Sequence, residues 1–334
     1  MPGDYFLDFV NEVLRDYVNE KVQEGISEHD ILEEIEKIDF GRMISNLIEE
    51  GTRSALQDLR MKIFEMSAER KASAALFIAH QENIWGKCFA ASDAMYVLAI
   101  EAGNDYIRYV EENVSIEKRK EHQYTFLCLQ HIHGRICQEF LEILYLMKLG
   151  FADCAYARWR SMYELCCIGE FICKYGEQIA KQYYDQSETE EQFYNWTRGA
   201  KGKDGKEIKV NSFGKLQEVC DIPKEWKKQY RLACFVNHGS PQGTFKRLAN
   251  GKTLNQIPVG HSDYGITTPA EHSAICLSWS TRLYINIFLH PEGLVQCKVL
   301  DAWVEIIRDM YFNTNKKAFK DIEEEEDPSC PTST

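Results

Sequence analysis

The chain has 334 residues, of which 44% are hydrophobic and 12% aromatic, and 39 Lys and Arg face 52 Asp and Glu for a net charge of −13. That is enough apolar material for a sizeable core in one large or two small domains, and the acidic balance excludes a protein that coats nucleic acid over its whole surface. No basic segment leads into an apolar one at the N-terminus, and no stretch reaches the roughly 20 apolar residues of a membrane span. A cytoplasmic protein with no membrane contact is therefore expected. The twelve cysteines are scattered through apolar runs without a C-x-x-C pair, which is how small buried hydrophobes are used in a reducing compartment. No metal site and no cofactor is expected.

Over residues 4–23, Phe6, Phe9, Val10, Val13, Leu14, Tyr17 and Val18 recur at three- and four-residue spacing, which predicts an amphipathic helix ended by Gly25. Ser27 and Asp30 form a weak capping box for a short acidic helix over 31–38, and Asp39 to Gly41 is a junction. From Arg42 to about Glu112 the pattern stays helical, with soft breaks at Gly51, Gly86 and Gly103. No proline lies between Pro2 and Pro223, which suits long helices. Ser115 is placed to cap a helix running to Lys148, with Gly150 as its stop. Asp153 then caps a segment to Tyr175 that is apolar on nearly every side, the mark of a central helix. A polar helix to about Thr197 has Phe193 and Trp196 as anchors, and 199–212 reads as a basic loop or hairpin. Pro223 opens the helix that carries Trp226, Tyr230, Arg231 and Phe235. A Gly/Pro/Asn-rich stretch fills 239–269, long enough to be a functional loop or lid. Helices over 270–289 and 291–312 finish the fold, and the tail from Lys316 is expected to be disordered. The fold class is all-α, a multi-helix bundle with a long Gly-rich loop between the last helices. It divides into an N-terminal helical region (1–75), a helical core domain (76–314) and an acidic tail (315–334).

Two groups of residues could carry chemistry. Arg231 and His238 are seven residues apart, nearly two turns, and share a side if the helix is continuous. Histidine shuttles a proton near neutral pH, and a guanidinium can hold a scissile phosphate and the charge that develops on it. Asn237 could orient either group. If the substrate is RNA, its 2′-hydroxyl is the nucleophile and no metal is required. In the apolar helix, Arg158, Arg160 and Glu164 must be paired or face a cleft, and Arg160 and Glu164, four apart, share a face. From Arg198 to Lys252 thirteen Lys and Arg stand against five Asp and Glu, a balance of +8 in a chain whose remainder carries −21. Such a segment is an electrostatic footprint for phosphate or a solvated loop. The plainer alternatives are that Arg160 and Glu164 form a structural pair, and that His238 ends its helix at the favourable end of the dipole with Gly239 beyond it. His131 and His133 point about 200° apart on a helix and read as structural. No nucleophile elbow, Walker loop, dinucleotide fingerprint or H-E-x-x-H occurs, and Cys234, between Ala233 and Phe235, reads as packing.

The Arg-x6-His spacing is at the long end of that found in the HEPN superfamily, although Leu232 stands where the commoner short-spaced motif has a polar residue. An A-x-x-R-x-x-x-E helix (Ala157, Arg160, Glu164), then Asn237-His238-Gly239-Ser240 and a closing apolar helix, resembles the uncharacterised bacterial family known as domain of unknown function 5677, over roughly 77–289. That resemblance implies a helical domain of a stress or phage-defence system. The HEPN likeness implies a metal-independent endoribonuclease of a defence or toxin–antitoxin system, with Arg231, His238 and Asn237 catalytic. Arg158, Arg160, Glu164, Ser240, Lys227 and Lys228 are the expected binding residues beside them. The alternative is a non-catalytic ligand-sensing or protein-interaction module in such a system, in which Arg160, Glu164 and His238 form a ligand pocket or a structural polar network. Expected partners are RNA, a second copy in a homodimer or another protein.

Overall fold

A computed structural model describes residues 3–36, 40–190, 193–202, 204–220, 222–245, 248 and 260–320, leaving aside the side chains of 3–10, 36, 40, 43 and 47. The described residues form twelve α-helices and one 3₁₀ turn, with no strand beyond an isolated bridge between Lys201 and Glu207. The fold class is all-α, as expected. The chain divides into two units, Met1–Lys71 and Ala72–Thr334.

The first unit holds α1 (Gly3–Gln23), α2 (Glu28–Glu36) and the opening part of α3 (Phe40–Asn113). One half of the capping box before α2 forms: Ser27 Oγ accepts from the Asp30 amide at 3.3 Å, and its hydroxyl donates to the Asp30 carboxylate at 2.6 Å. The junction expected at 39–41 begins outside the described residues. α3 runs 74 residues without interruption, so Gly51, Gly86 and Gly103 do not break it. A glycine costs a helix only about 1 kcal/mol relative to alanine, too little to stop one flanked by Ala, Leu, Glu and Lys. At Gly103 the missing side chain leaves room for a neighbour, because a Cβ there would stand 3.1 Å from His133 Nε2.

The second unit continues with α4 (Ile116–Glu121), α5 (Gln123–Lys148), α6 (Ala152–Tyr175), α7 (Glu177–Gln186), the 3₁₀ turn Asn195–Thr197, α8 (Phe213–Val219), α9 (Lys224–Asn237), α10 (Pro241–Phe245), α11 (Thr267–Ile285) and α12 (Pro291–Ala318). α6 is the centre: it packs on α5, α7, α8, α9 and α11 and buries residues on every side, from Tyr156, Trp159 and Met162 to Cys166, Cys167, Phe171 and Ile172.

Several boundaries differ from expectation for identifiable reasons. Ser115 caps only α4, accepting from the Lys118 amide at 3.4 Å. The chain bends at His122, and α5 takes a cap from another helix: Glu177 accepts from the Tyr124 amide at 2.7 Å, the Thr125 amide at 2.9 Å and the Thr125 hydroxyl at 2.8 Å. Those are orphan donors of a helix N-terminus, satisfied in space rather than in sequence. Gly150 stops α5 as anticipated. Its φ is +74°, its amide reaches Met147 O at 3.0 Å and the Phe151 amide reaches Leu146 O at 2.8 Å, the pairing of a Schellman end. Asp153 is not the cap of α6, whose N-cap is Phe151; its carboxylate accepts from the Leu248 amide at 2.8 Å. α7 ends at Gln186, where the side-chain oxygen accepts from the Trp196 amide at 2.8 Å and folds the chain back. α12 runs to Ala318, beyond the expected end at 312, because buried Tyr311 and Phe319 both stack on Trp85 and hold its last turns. Thirteen residues of the Gly-rich loop (246–247 and 249–259) and the tail from 321 lie outside the described residues. Among the described residues no helix is long and apolar enough to cross a membrane.

Of the two α5 histidines, His131 is exposed and His133 is buried. His133 Nε2 lies 3.2 Å from Ala99 O and its ring stacks on Tyr284. Burial holds its pKa down at about 4, well below the usual 6.5, with the Ala99 hydrogen bond opposing. As pH falls below 6.5 the unfolded chain therefore takes up a proton that the folded chain refuses, and stability is lost between pH 6.5 and about 4. The loss attributable to this group is about 3 kcal/mol at most. Urea unfolding should show a steeper loss between neutral and acid pH for the natural protein than for His133→Gln.

Candidate functional site

A cleft of about 490 Å³ opens where α5, α6 and α9 meet, lined by Leu146, Cys154, Ala157, Arg158, Arg160, Ser161, Glu164 and Asn237. The periodicity of α6 builds its floor. Cys154, Ala157, Arg158 and Ser161 follow at steps of three and four and share one face, while Arg160 and Glu164 form the edge toward α9. α9 turns Tyr230, Ala233, Cys234 and Asn237 toward α6 by the same spacing. The cleft continues past Ser161 and Glu164 into a depression of about 350 Å³ that also takes in Arg135, Tyr183, Tyr194 and Trp196.

Beneath the floor lies a charged network. Glu139 on α5 is wholly buried, and its Oε1 receives Arg135 Nε at 3.0 Å, Arg158 Nη2 at 3.3 Å and Ser161 Oγ at 2.9 Å. Arg158 also donates through Nε to Glu142 at 2.6 Å. Two arginines are thus committed to carboxylates. Arg160 is different. Its Nε donates to Glu164 Oε1 at 2.9 Å, the same oxygen accepts from Tyr230 Oη at 2.5 Å, and the guanidinium lies 5.7 Å from the centre of the Tyr230 ring. Arg160 Nη1 is shielded from solvent and meets no acceptor among the described residues. Burial, the largest single influence, works against the Arg160 charge, but the Glu164 hydrogen bond and the electrostatic pull of Tyr230, Glu164 and Cys234 together outweigh it, and the guanidinium is held more firmly protonated. Burial pushes the Tyr230 hydroxyl up, and Glu164 adds to that, so Tyr230 stays a donor. Burial also pushes the Cys234 thiol up, against the pull of Arg160, the opposite of an activated thiolate.

The site residues expected from sequence separate into two sets. Arg158, Arg160, Glu164 and Asn237 meet in the cleft. Arg231 and His238 do not line it. Arg231 follows Tyr230 by one residue, about 100° around the helix, and is exposed. His238 lies beyond the last residue of α9 with φ −108° and ψ 151°, an extended backbone that takes its side chain out of helical register, so the seven-residue spacing does not become a shared face. Gly239 does not adopt a left-handed backbone. Ser240 is occupied in a turn, donating to Phe235 O at 3.0 Å and accepting from the Gly243 amide at 3.0 Å. Lys227 and Lys228 lie earlier on α9, half-buried and exposed respectively, and do not line the cleft. Tyr230, Glu139, Arg135 and Ser161 were not anticipated. Glu139 did carry a signal: it is an acid on the apolar stripe of Ile136, Phe140 and Ile143.

Comparison with known families finds one likeness at this point. Residues 126–195 match a family of unknown function (DUF5677). The matched stretch runs from α5 through α7 to the 3₁₀ turn and contains all the charged residues of the network, whereas Tyr230, Asn237 and His238 fall beyond it. No curated protein and no solved structure matches the chain.

Proposed function

We propose that this chain is a non-catalytic helical binding module whose cleft takes a small ligand presenting an anionic oxygen. The observation that carries the reading is Arg160. Its guanidinium is oriented by Glu164 and Tyr230, yet a buried charged donor is left unsatisfied beside an open cleft. An unmet buried donor costs about 1–3 kcal/mol, which a ligand oxygen would offset once the guanidinium, on a side chain a quarter exposed, turns Nη1 toward the cleft. Asn237 and Ser161 supply neutral polar groups for the rest of the ligand, in the pattern of a mostly apolar pocket with a few convergent polar groups. Inorganic phosphate and acetate are the first probes. At about 10 mM, a ligand with millimolar affinity stabilises by about 1.4 kcal/mol. One of the two is expected to raise the melting temperature of the natural protein relative to chloride at equal ionic strength, and to leave Arg160→Met unchanged. Equal responses of the two proteins would contradict the reading.

A second reading, metal-independent RNA cleavage in a bacterial defence or toxin–antitoxin setting, is favoured by a separate observation. Arg231 midway along α9, and Asn237 and His238 at its end, are each exposed, and their side chains have no hydrogen-bond partner among the described residues, within a segment of balance +8. It predicts cleavage in the presence of EDTA that leaves 2′,3′-cyclic phosphate ends and is abolished by His238→Ala without a change in melting temperature. Intact RNA after incubation with the natural protein would remove it.

A further inference from the structure

The cleft does not end at the depression beside Trp196. Arg135, Leu165, Tyr183 and Ser187 line that depression and also a further one of about 410 Å³, so the two adjoin. α5 and α6 run antiparallel along this groove. Arg158 pairs with Glu142 and Ser161 with Glu139 at one end, and a Cβ on Gly169 would stand 3.4 Å from Leu129 and 3.9 Å from Ile132 at the other. From Arg160 to Ile168, level with Ile132, is eight residues of α6, or about 12 Å of groove. The far depression differs in character from the Arg160 end. Three of its polar side chains are engaged within the protein: Arg135 Nε donates to Glu139 at 3.0 Å, Ser187 Oγ to Tyr184 O at 2.7 Å and Cys128 Sγ to Ala180 O at 3.3 Å. What they leave toward the space is Leu127, Ile132, Leu165 and the rings of Tyr183 and Tyr184, with exposed His131 toward solvent.

We propose that the ligand of this groove is an anionic amphiphile, with a carboxylate or phosphate head on Arg160 and an apolar chain laid over Leu165 and Ile168 into the far depression. This rests on the cleft being a binding site and names the class of ligand it takes. The two ends call for opposite chemistry. At the head, an anionic oxygen meets the Arg160 Nη1 donor that the protein leaves unsatisfied. At the far end, a polar group would give up its water for a wall whose donors are already spent, and burying it unpaired is costly. A nucleobase, with several donors and acceptors to satisfy, is disfavoured there for the same reason. A hydrocarbon gives up no hydrogen bond and is driven in by the burial of its own surface. The groove also sets the length. An extended chain advances about 1.2 Å per bond, so a chain of about ten carbons spans the distance from Arg160 to the level of Ile168.

Calorimetric titration of the full chain with acetate, hexanoate and decanoate tests the proposal, and inorganic phosphate and decyl phosphate form a second series that distinguishes a carboxylate from a phosphate head. A buried methylene is worth about fourfold in affinity, so with half its chain buried the long member of at least one series should bind at least about 100-fold tighter than the short one. Leu127→Gln, at a half-buried position of the far wall, should weaken the long ligand about tenfold and leave the short one unchanged. Arg160→Met should lose the short ligand and weaken the long one at least about tenfold, the loss of a charge-assisted hydrogen bond. Binding of acetate or phosphate that depends on Arg160, with no gain from chain length in either series, would overturn the amphiphile and leave the binding module standing. A chain-length gain undiminished by Leu127→Gln would do the same. A gain indifferent to Arg160→Met, or no binding by any member of either series, would overturn both.

Discussion

Trp159→Ala is expected to destabilise the second unit by about 4 kcal/mol, a large fraction of a domain's stability. Trp159 is fully buried at the centre of α6. Its ring lies 5.3 Å from Tyr156 at 5°, 5.5 Å from Tyr163 and 4.9 Å from His272 edge-on, and its indole N–H reaches Cys276 Sγ at 3.2 Å. Truncation therefore opens a cavity where α6, α9 and α11 meet, lined by rings too rigid to collapse into it. The effect would reach the cleft as well. Tyr156, stacked on Trp159, donates to the backbone oxygen of Gln229 at 2.9 Å and helps seat α9, which brings Asn237 to the cleft wall. Trp159→Phe, which keeps most of the stacking, should recover more than half of the loss in chemical denaturation.

Arg160→Met is expected to separate folding from binding. The pair it breaks is about a quarter exposed on each side, so solvent screening keeps its worth to stability below about 1 kcal/mol. Glu164 retains the Tyr230 hydroxyl as donor, and the unsatisfied Nη1 disappears with the guanidinium, which works in the variant's favour. Its melting temperature should therefore stay near that of the natural protein while the response to phosphate or acetate is lost. Arg160→Lys should lose most of that response too. A single ammonium cannot hold Glu164 with one edge of a planar fork and meet a ligand oxygen with another. A lysine variant that responds fully would mean that net charge alone, without the fork, governs binding.

Much of the fold was legible because its signals are local. Ser27 and Asp30, the left-handed turn at Gly150 and the all-round apolarity of α6 each report within a few residues of themselves. The bend at His122 was not legible, since the carboxylate that caps α5 belongs to Glu177 on α7 and arrives only when the bundle has formed. The continuity of α3 through three glycines depends on the sum of propensities along 74 residues, which single breakers do not decide. The cleft was half legible. The four-residue step from Arg160 to Glu164 foretold their pair, but its completion by Tyr230 and the neutralisation of Arg135 and Arg158 by a wholly buried Glu139 require the packing of α5, α6 and α9. The Arg231–His238 register failed to become a face for a smaller reason: α9 stops at Asn237, one residue before the histidine.

Arginine-selective ¹⁵N NMR of the full chain during a phosphate or acetate titration tests the account most directly. The Arg160 Nε resonance, assigned by its disappearance in Arg160→Met, should move saturably, and those of Arg158 and Arg135, already held by Glu142 and Glu139, should stay in place. An Arg160 resonance that stays fixed, or moves no more than those of exposed arginines such as Arg231, would contradict a ligand oxygen at this guanidinium and with it the binding function assigned to the cleft.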